Sequence, residues 1–164
     1  MSDVKNIIKS IAGVFASPVV RALILAGILA AFTITDFLLL NLARRTFVFY
    51  TVIEGIIVVE NRMIKNAETR EIDIKRYAEE TLLGPASPGL LQLFPKGTKL
   101  ISLIYRDGVV YINMSKDAQM PPIEGGTTFN NFRTFYQGIL RNFTYVSDVR
   151  FFIEGSVIYA DGFM

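Results

Sequence analysis

Ser115, Glu60, Asp107, Asp117 and Glu124 are the side chains of this 164-residue chain most able to do covalent or acid–base chemistry. A serine nucleophile needs a neighbouring base, and the chain has no histidine to supply one. The carboxylates are scattered, with neither the pairing of an acid/base couple nor the spacing of a metal site. Without cysteine or histidine there is no disulfide and no Cys/His zinc site, and no mechanism can use an imidazole base. Gly125-Gly126 stand before a helix start, as in anion-binding loops, but the glycine pattern is incomplete and no P-loop lysine follows. These residues read as those of a non-enzyme that needs no cofactor.

Asp36 raises a different chemistry. It is the one charged group in residues 22–43 (ALILAGILAAFTITDFLLLNLA). As a helix these 22 residues reach about 33 Å, enough for a hydrocarbon core of about 30 Å. Arg21 precedes the stretch and Arg44-Arg45 follow it. The rival reading is a cleavable signal peptide, whose apolar region is about 7–15 residues long and ends at small residues. This stretch is longer, begins some twenty residues into the chain and runs into Arg-Arg. It reads as an uncleaved single-pass anchor. A carboxylate at that depth costs a few kcal/mol on insertion scales. One reading gives Asp36 a partner from another subunit or membrane protein. The other lets it reach interfacial water or take up a proton. Asp36, Arg21, Arg44 and Arg45 are therefore the candidate membrane-interaction residues.

The charge distribution fits an anchor. Residues 1–45 carry Lys5, Lys9, Arg21, Arg44 and Arg45 against Asp3 and Asp36, whereas the remainder is close to neutral. No basic face marks a nucleic-acid partner. Three basic residues before the span and two directly after it lean toward an N-terminus inside. Residues 4–15 (VKNIIKSIAGVF) place apolar side chains at helical spacing with Lys5 and Lys9 on another side, which fits either an amphipathic helix at a membrane surface or a frayed terminus that becomes helical only near lipid.

The rest of the chain must fold around these groups. Residues 46–53 (TFVFYTVI) and 56–64 (IIVVENRMI) read as a hairpin turned by Glu54-Gly55, with Glu60 and Arg62 a surface pair on one strand face. Ile74, Tyr77, Ala78, Thr81 and Leu82 have helical spacing, ended by Gly84-Pro85. Leu90, Leu91, Leu93 and Phe94 belong to a loop packed on the core. Residues 100–113 form a second hairpin through Asp107-Gly108, since glycine accepts the positive φ of a type I′ turn. Residues 115–128 (SKDAQMPPIEGGTT) are a long loop in which Met120, Pro121, Pro122, Gly125 and Gly126 form a candidate partner surface. Phe129, Phe132, Phe135, Tyr136, Ile139, Leu140 and Phe143 make a second amphipathic helix, capped by Thr127 or Thr128. A last hairpin turns at Glu154-Gly155. The expected fold is α+β: one transmembrane helix, then a two-layer domain of two helices on one mostly antiparallel sheet. The division is 1–21, 22–43 and 46–164.

Residues 47–163 resemble a GerMN domain, the module named from spore-germination and sporulation proteins. The likeness lies in the order of several pieces. VVENRMI at 58–64 resembles a strand with an acidic-x-Arg step, and ETLLGP at 80–85 a helix end with Leu-x-Gly-Pro. FPKGTKLISLIYRDGVVYINMS at 94–115 resembles the Pro-x-Gly-Thr lead-in, the Asp-Gly hairpin and the strand ending in Asn/Asp-x-Ser. Residues 149–155 resemble the closing strand and glycine turn. The resemblance implies a fold similar to the ring-building motifs of bacterial envelope and secretion assemblies, and a non-catalytic, extracytoplasmic role in assembling proteins. It supplies no active-site residue. The chain departs from the named proteins in having one such domain and a transmembrane helix in place of a lipid anchor. The family also occurs in bacteria that do not sporulate, so a germination role does not carry over.

The expected protein is thus an assembly module of the bacterial inner membrane. It is single-pass, with its N-terminus inside and its domain on the periplasmic side. Its expected partners are other envelope or membrane proteins, including copies of itself. The alternative is a peptidoglycan-binding module in which the 115–128 loop, Tyr105 and Tyr111 offer a stacking surface.

Overall fold

Pro18 starts the first helix, at a position where its missing N–H costs nothing. The computed structural model describes residues 17–51, 56–120 and 127–163, with backbone alone for 37–40. The expected surface helix over 4–15 and the Glu54-Gly55 turn lie outside the described residues. The chain divides into two units, Met1–Asn41 and Leu42–Met164.

In the first unit α1 spans Pro18–Leu40 and stops where Asn41 takes a left-handed φ of 40°. It is long and apolar enough to cross a membrane. Its exposed side chains include Leu23, Leu25, Leu29, Phe32 and Ile34. Thr33 and Thr35 donate their hydroxyls to the carbonyls of Leu29 and Ala31, both at 2.8 Å. These polar groups are satisfied within the helix, as an apolar medium requires. The apolar stretch had been expected to run through Ala43. Instead Leu42 and Ala43 already belong to a strand, because they pair with Lys65 and Ile64.

The second unit begins with β1 (Leu42–Thr51), antiparallel to β2 (Ile57–Lys65) from Leu42↔Lys65 to Tyr50↔Ile57. A two-residue β3 (Leu90–Leu91) pairs with the far end of β1. Between them α2 (Arg70–Leu83) starts at Thr69, whose hydroxyl accepts from Ile72 N. The second sheet runs β4-β5-β6-β7: Leu100–Arg106, Val109–Met114, Asp148–Ile153 and Ser156–Ile158. Asp107 and Gly108 take φ of 50° and 85°, as the type I′ turn between β4 and β5 requires. α3 (Thr128–Asn142) is capped by Thr127, whose hydroxyl accepts from Asn130 N. It lies between β5 and β6, so those strands run parallel.

The architecture is α+β with mostly antiparallel strands. Where one sheet was expected there are two. A single aromatic core joins them. Phe47 of β1 stacks on Tyr77 of α2 at 4.7 Å, Tyr77 meets Phe143 edge-on at 5.6 Å, and Phe132 of α3 meets Phe151 of β6 at 5.1 Å. Leu93 and Phe94, expected to pack on the core from a loop, are buried in it.

Candidate functional site

β2 alternates between two environments. Ile57, Val59, Asn61, Met63 and Lys65 are exposed, whereas Val58, Glu60, Arg62 and Ile64 turn inward. Glu60 and Arg62 therefore share the inner face, where their side chains are only 11% and 15% exposed. The surface pair expected from sequence is a buried-side network instead. Arg62 lies over the rings of Phe47 and Phe49, 4.8 and 5.6 Å from their centroids. Its Nε bonds Glu60 Oε1, its Nη1 bonds Glu80 Oε2 at 3.1 Å, and its Nη2 donates to the carbonyl of Gly84 at 2.7 Å. Gly84 ends α2 with a φ of 90° and donates its own N–H to Thr81 O.

Glu60 also accepts the backbone N–H groups of Ala86 and Ser87, at 3.3 and 3.1 Å. Burial raises its pKa, but the hydrogen bonds from Arg62, Ser87 and Ala86 outweigh that and hold the carboxyl at about 2. The acidic-x-Arg step of β2 thus holds the Leu-x-Gly-Pro end of α2. A second tie closes the hairpin: Ser115 Oγ accepts from Lys99 N and donates to Asp117 Oδ2, both at 3.0 Å. Ser115 is a structural hydroxyl in this arrangement. Among the described residues no group of three or more acidic side chains is placed to hold a metal.

The candidate membrane residues fall in different places. Arg21 and Asp36 are on α1 and exposed. Arg44 is exposed on β1, opposite Met63. Arg45 is committed within the folded unit. It ion-pairs with Asp73, donates to Asn142 O at 3.1 Å and lies 4.5 Å from the Phe143 ring centroid.

In the candidate partner loop Met120 is exposed, while Pro121, Pro122, Gly125 and Gly126 lie outside the described residues. The start of that loop is a 3-10 turn, Lys116–Gln119, with Ala118 buried. Tyr105 is held by a hydrogen bond to Tyr145 O and an edge-on contact with the Tyr145 ring. Tyr111 faces outward with Phe152 at 6.4 Å and the Arg150 guanidinium at 6.0 Å.

Two features had no sequence reading. The carboxylate of Glu71 accepts the N–H of Tyr105 at 2.9 Å and so occupies the edge of β4. Between β2 and α2 runs a groove of about 390 Å³ lined by Arg62, Met63, Ile64 and Lys65 on one wall and Arg76, Glu79, Glu80 and Leu83 on the other. The Glu-x-Arg spacing on one strand face was the available signal for the Arg62 network. The groove had none, because its walls are distant in the chain.

Comparison with known proteins gives a consistent picture. A family model described as "Germane: Sporulation and spore germination" matches residues 49–159. Among solved structures the chain is similar to the tandem GerMN domains of the sporulation protein GerM from Bacillus subtilis, with 20% identity and a TM-score of 0.55. That likeness covers 74% of this chain and 43% of the other, so the chain spans less than half of the tandem structure. The first GerMN domain of the same protein is similar at 15% identity and a TM-score of 0.55, over 71% of this chain and 86% of that one. These identities establish likeness of fold. The search of curated proteins gave no match.

Proposed function

Because this chain belongs to the Germane family of sporulation and spore germination, we propose that it is a non-catalytic, membrane-anchored module that assembles proteins in the bacterial envelope. The observation that carries this reading is how its motifs are used. Glu60, Arg62, Gly84 and Ser115 serve the fold, while the apolar side chains of β2 stand in solvent: Ile57 and Met63 at 60% exposure and Val59 at 47%. A surface of that kind fits a protein partner better than a reaction.

In this reading α1 is a single-pass inner-membrane anchor with its N-terminus inside and the folded unit on the periplasmic side. Only Asn41 separates the end of α1 from β1. So short a connector restricts reach and favours partners in the same membrane, including further copies of this chain.

The test is photo-crosslinking of the full-length protein in native membranes, with probes beside Asp36 and at Met120. Discrete protein adducts are expected. Glycan capture without any protein adduct would overturn the reading.

A second reading, binding to peptidoglycan, is favoured by the outward Tyr111 and Phe152 rings beside Arg150, which suit stacking on sugar faces. Tyr105 no longer contributes, since its hydroxyl and ring are engaged with Tyr145. Co-sedimentation of the detergent-solubilised full chain with purified peptidoglycan tests it. Retention lost with Tyr111→Ala would support wall binding, and no retention would exclude it.

A further inference from the structure

The strand edges of the folded unit are not equally available. β3 has two residues and β7 three. The edge of β4 is irregular between Leu100 and Ser102 and takes the Glu71 carboxylate at Tyr105 N, whereas β2 is regular and takes a side chain, Arg76, on the carbonyl of its last residue, Lys65. β2 has nine residues, stands at the end of its sheet beside β1 alone, and opens onto the groove along α2. A long edge strand with exposed apolar side chains is a template for another strand.

The sequence of β2 names the strand that fits. Laid antiparallel against itself about Asn61, the stretch Val58–Ile64 is self-complementary, with Ile57 and Lys65 facing each other at its ends. Glu60 of one copy faces Arg62 of the other, Val58 faces Ile64, Val59 faces Met63, and Asn61 faces Asn61. Every pair joins residues of the same face: Glu60, Arg62, Val58 and Ile64 inward, Val59, Met63 and Asn61 outward. Opposite charges and apolar pairs directly across an antiparallel ladder are each stabilising. An arrangement in which residue i meets residue j and j meets i is the requirement of a two-fold interface.

We infer that β2 is the self-association edge of this protein, pairing antiparallel with β2 of a second copy about Asn61 to continue the β3-β1-β2 sheet across a two-fold axis. The inference rests on the assembly reading above and names its partner and register. The Glu60–Arg62 pair of each copy would keep its ties to its own α2 and lie beside its counterpart across the axis, while the exposed Val59 and Met63 side chains would make the apolar contact on the outward face.

The chain has no cysteine, so single thiols report contacts without background. The experiment is oxidative crosslinking of the full chain in its own membranes. Asn61→Cys is expected to give a disulfide-linked homodimer. Co-expressed Val59→Cys and Met63→Cys chains are expected to link to each other about tenfold more than either links to itself, because identical positions lie four residues out of register, about 13 Å apart. Ile104→Cys, on the other sheet, should stay monomeric.

Charges test the same register on exposed side chains that the fold does not use. With Asn61→Cys as the reporter, Val59→Lys with Met63→Lys should cut crosslinking about tenfold, whereas Val59→Lys with Met63→Glu should restore it. Self-adducts elsewhere on the chain, but none at position 61, would overturn this inference and leave the assembly reading standing. A foreign polypeptide captured at position 61 in place of a second copy would overturn it too. A chain that stays monomeric and captures no protein anywhere would overturn both.

Discussion

Arg62 Nη2 donates to the carbonyl oxygen of Gly84 at 2.7 Å, joining the middle of β2 to the last turn of α2 across 22 residues of chain. The same guanidinium reaches Glu60 and Glu80 and covers the ring of Phe47. One side chain thereby serves two carboxylates, a helix-end carbonyl and the aromatic core. This is a geometry that a planar, five-donor fork provides and an ammonium does not.

Removing that fork leaves Glu60 and Glu80 without their shared cation. Arg62→Ala is expected to cost about 3 kcal/mol, since the pair is largely shielded from solvent and one partner would be stranded. Arg62→Lys should recover less than half of the loss. Urea unfolding of the two variants beside the parent checks this, and a loss below about 0.5 kcal/mol for Arg62→Ala would assign the network no more than a surface pair's contribution.

Glu60 makes stability depend on pH in a defined window. Its carboxyl is held near 2 in the folded chain, against an ordinary value of 4.5. A depressed carboxyl stabilises fully above its unfolded value and loses that contribution as pH falls through the folded one. The stability of the parent should therefore decline between about pH 4.5 and 2 more steeply than that of Glu60→Gln. Thermal midpoints measured across that range for both proteins give the comparison. Parallel curves would mean that Glu60 is not the group responsible.

Gly138 sits inside α3, where alanine is ordinarily the better helix former. Here the sign reverses. A β-carbon at 138 would press on the hydroxyl of Tyr77, which is hydrogen-bonded to Thr46 O at 3.2 Å. Gly138→Ala is expected to destabilise by about 1–3 kcal/mol. Tyr77→Phe, by removing the clashing oxygen, should make the double variant less unstable than the sum of the two single changes. Additive losses would show that the strain arises elsewhere.

Asp36 tests the membrane part of the proposal on its own. Asp36→Leu should leave the urea unfolding of the folded unit unchanged while weakening the protein adducts formed by a probe beside it in native membranes. Undiminished adducts would mean that Asp36 does not recruit a partner.

Local signals were legible in the chain. Periodicity set α2 and α3, the Asp107-Gly108 and Glu154-Gly155 turns take the positive φ their types imply, and Thr127 caps α3, because each depends on residues within a few positions of one another. The GerMN resemblance followed from the order of such local pieces. Tertiary structure alone decided the rest. It gave Leu42 and Ala43 to β1 by pairing them with Lys65 and Ile64, divided the strands between two sheets, and turned Arg45 toward Asp73 and Asn142. It also converted Glu60 and Arg62 from an ordinary strand-face pair into the clasp on Gly84 and Ser87. Each outcome depends on a partner more than twenty residues away, and no spacing within one segment specifies which distant carbonyl or carboxylate will arrive there.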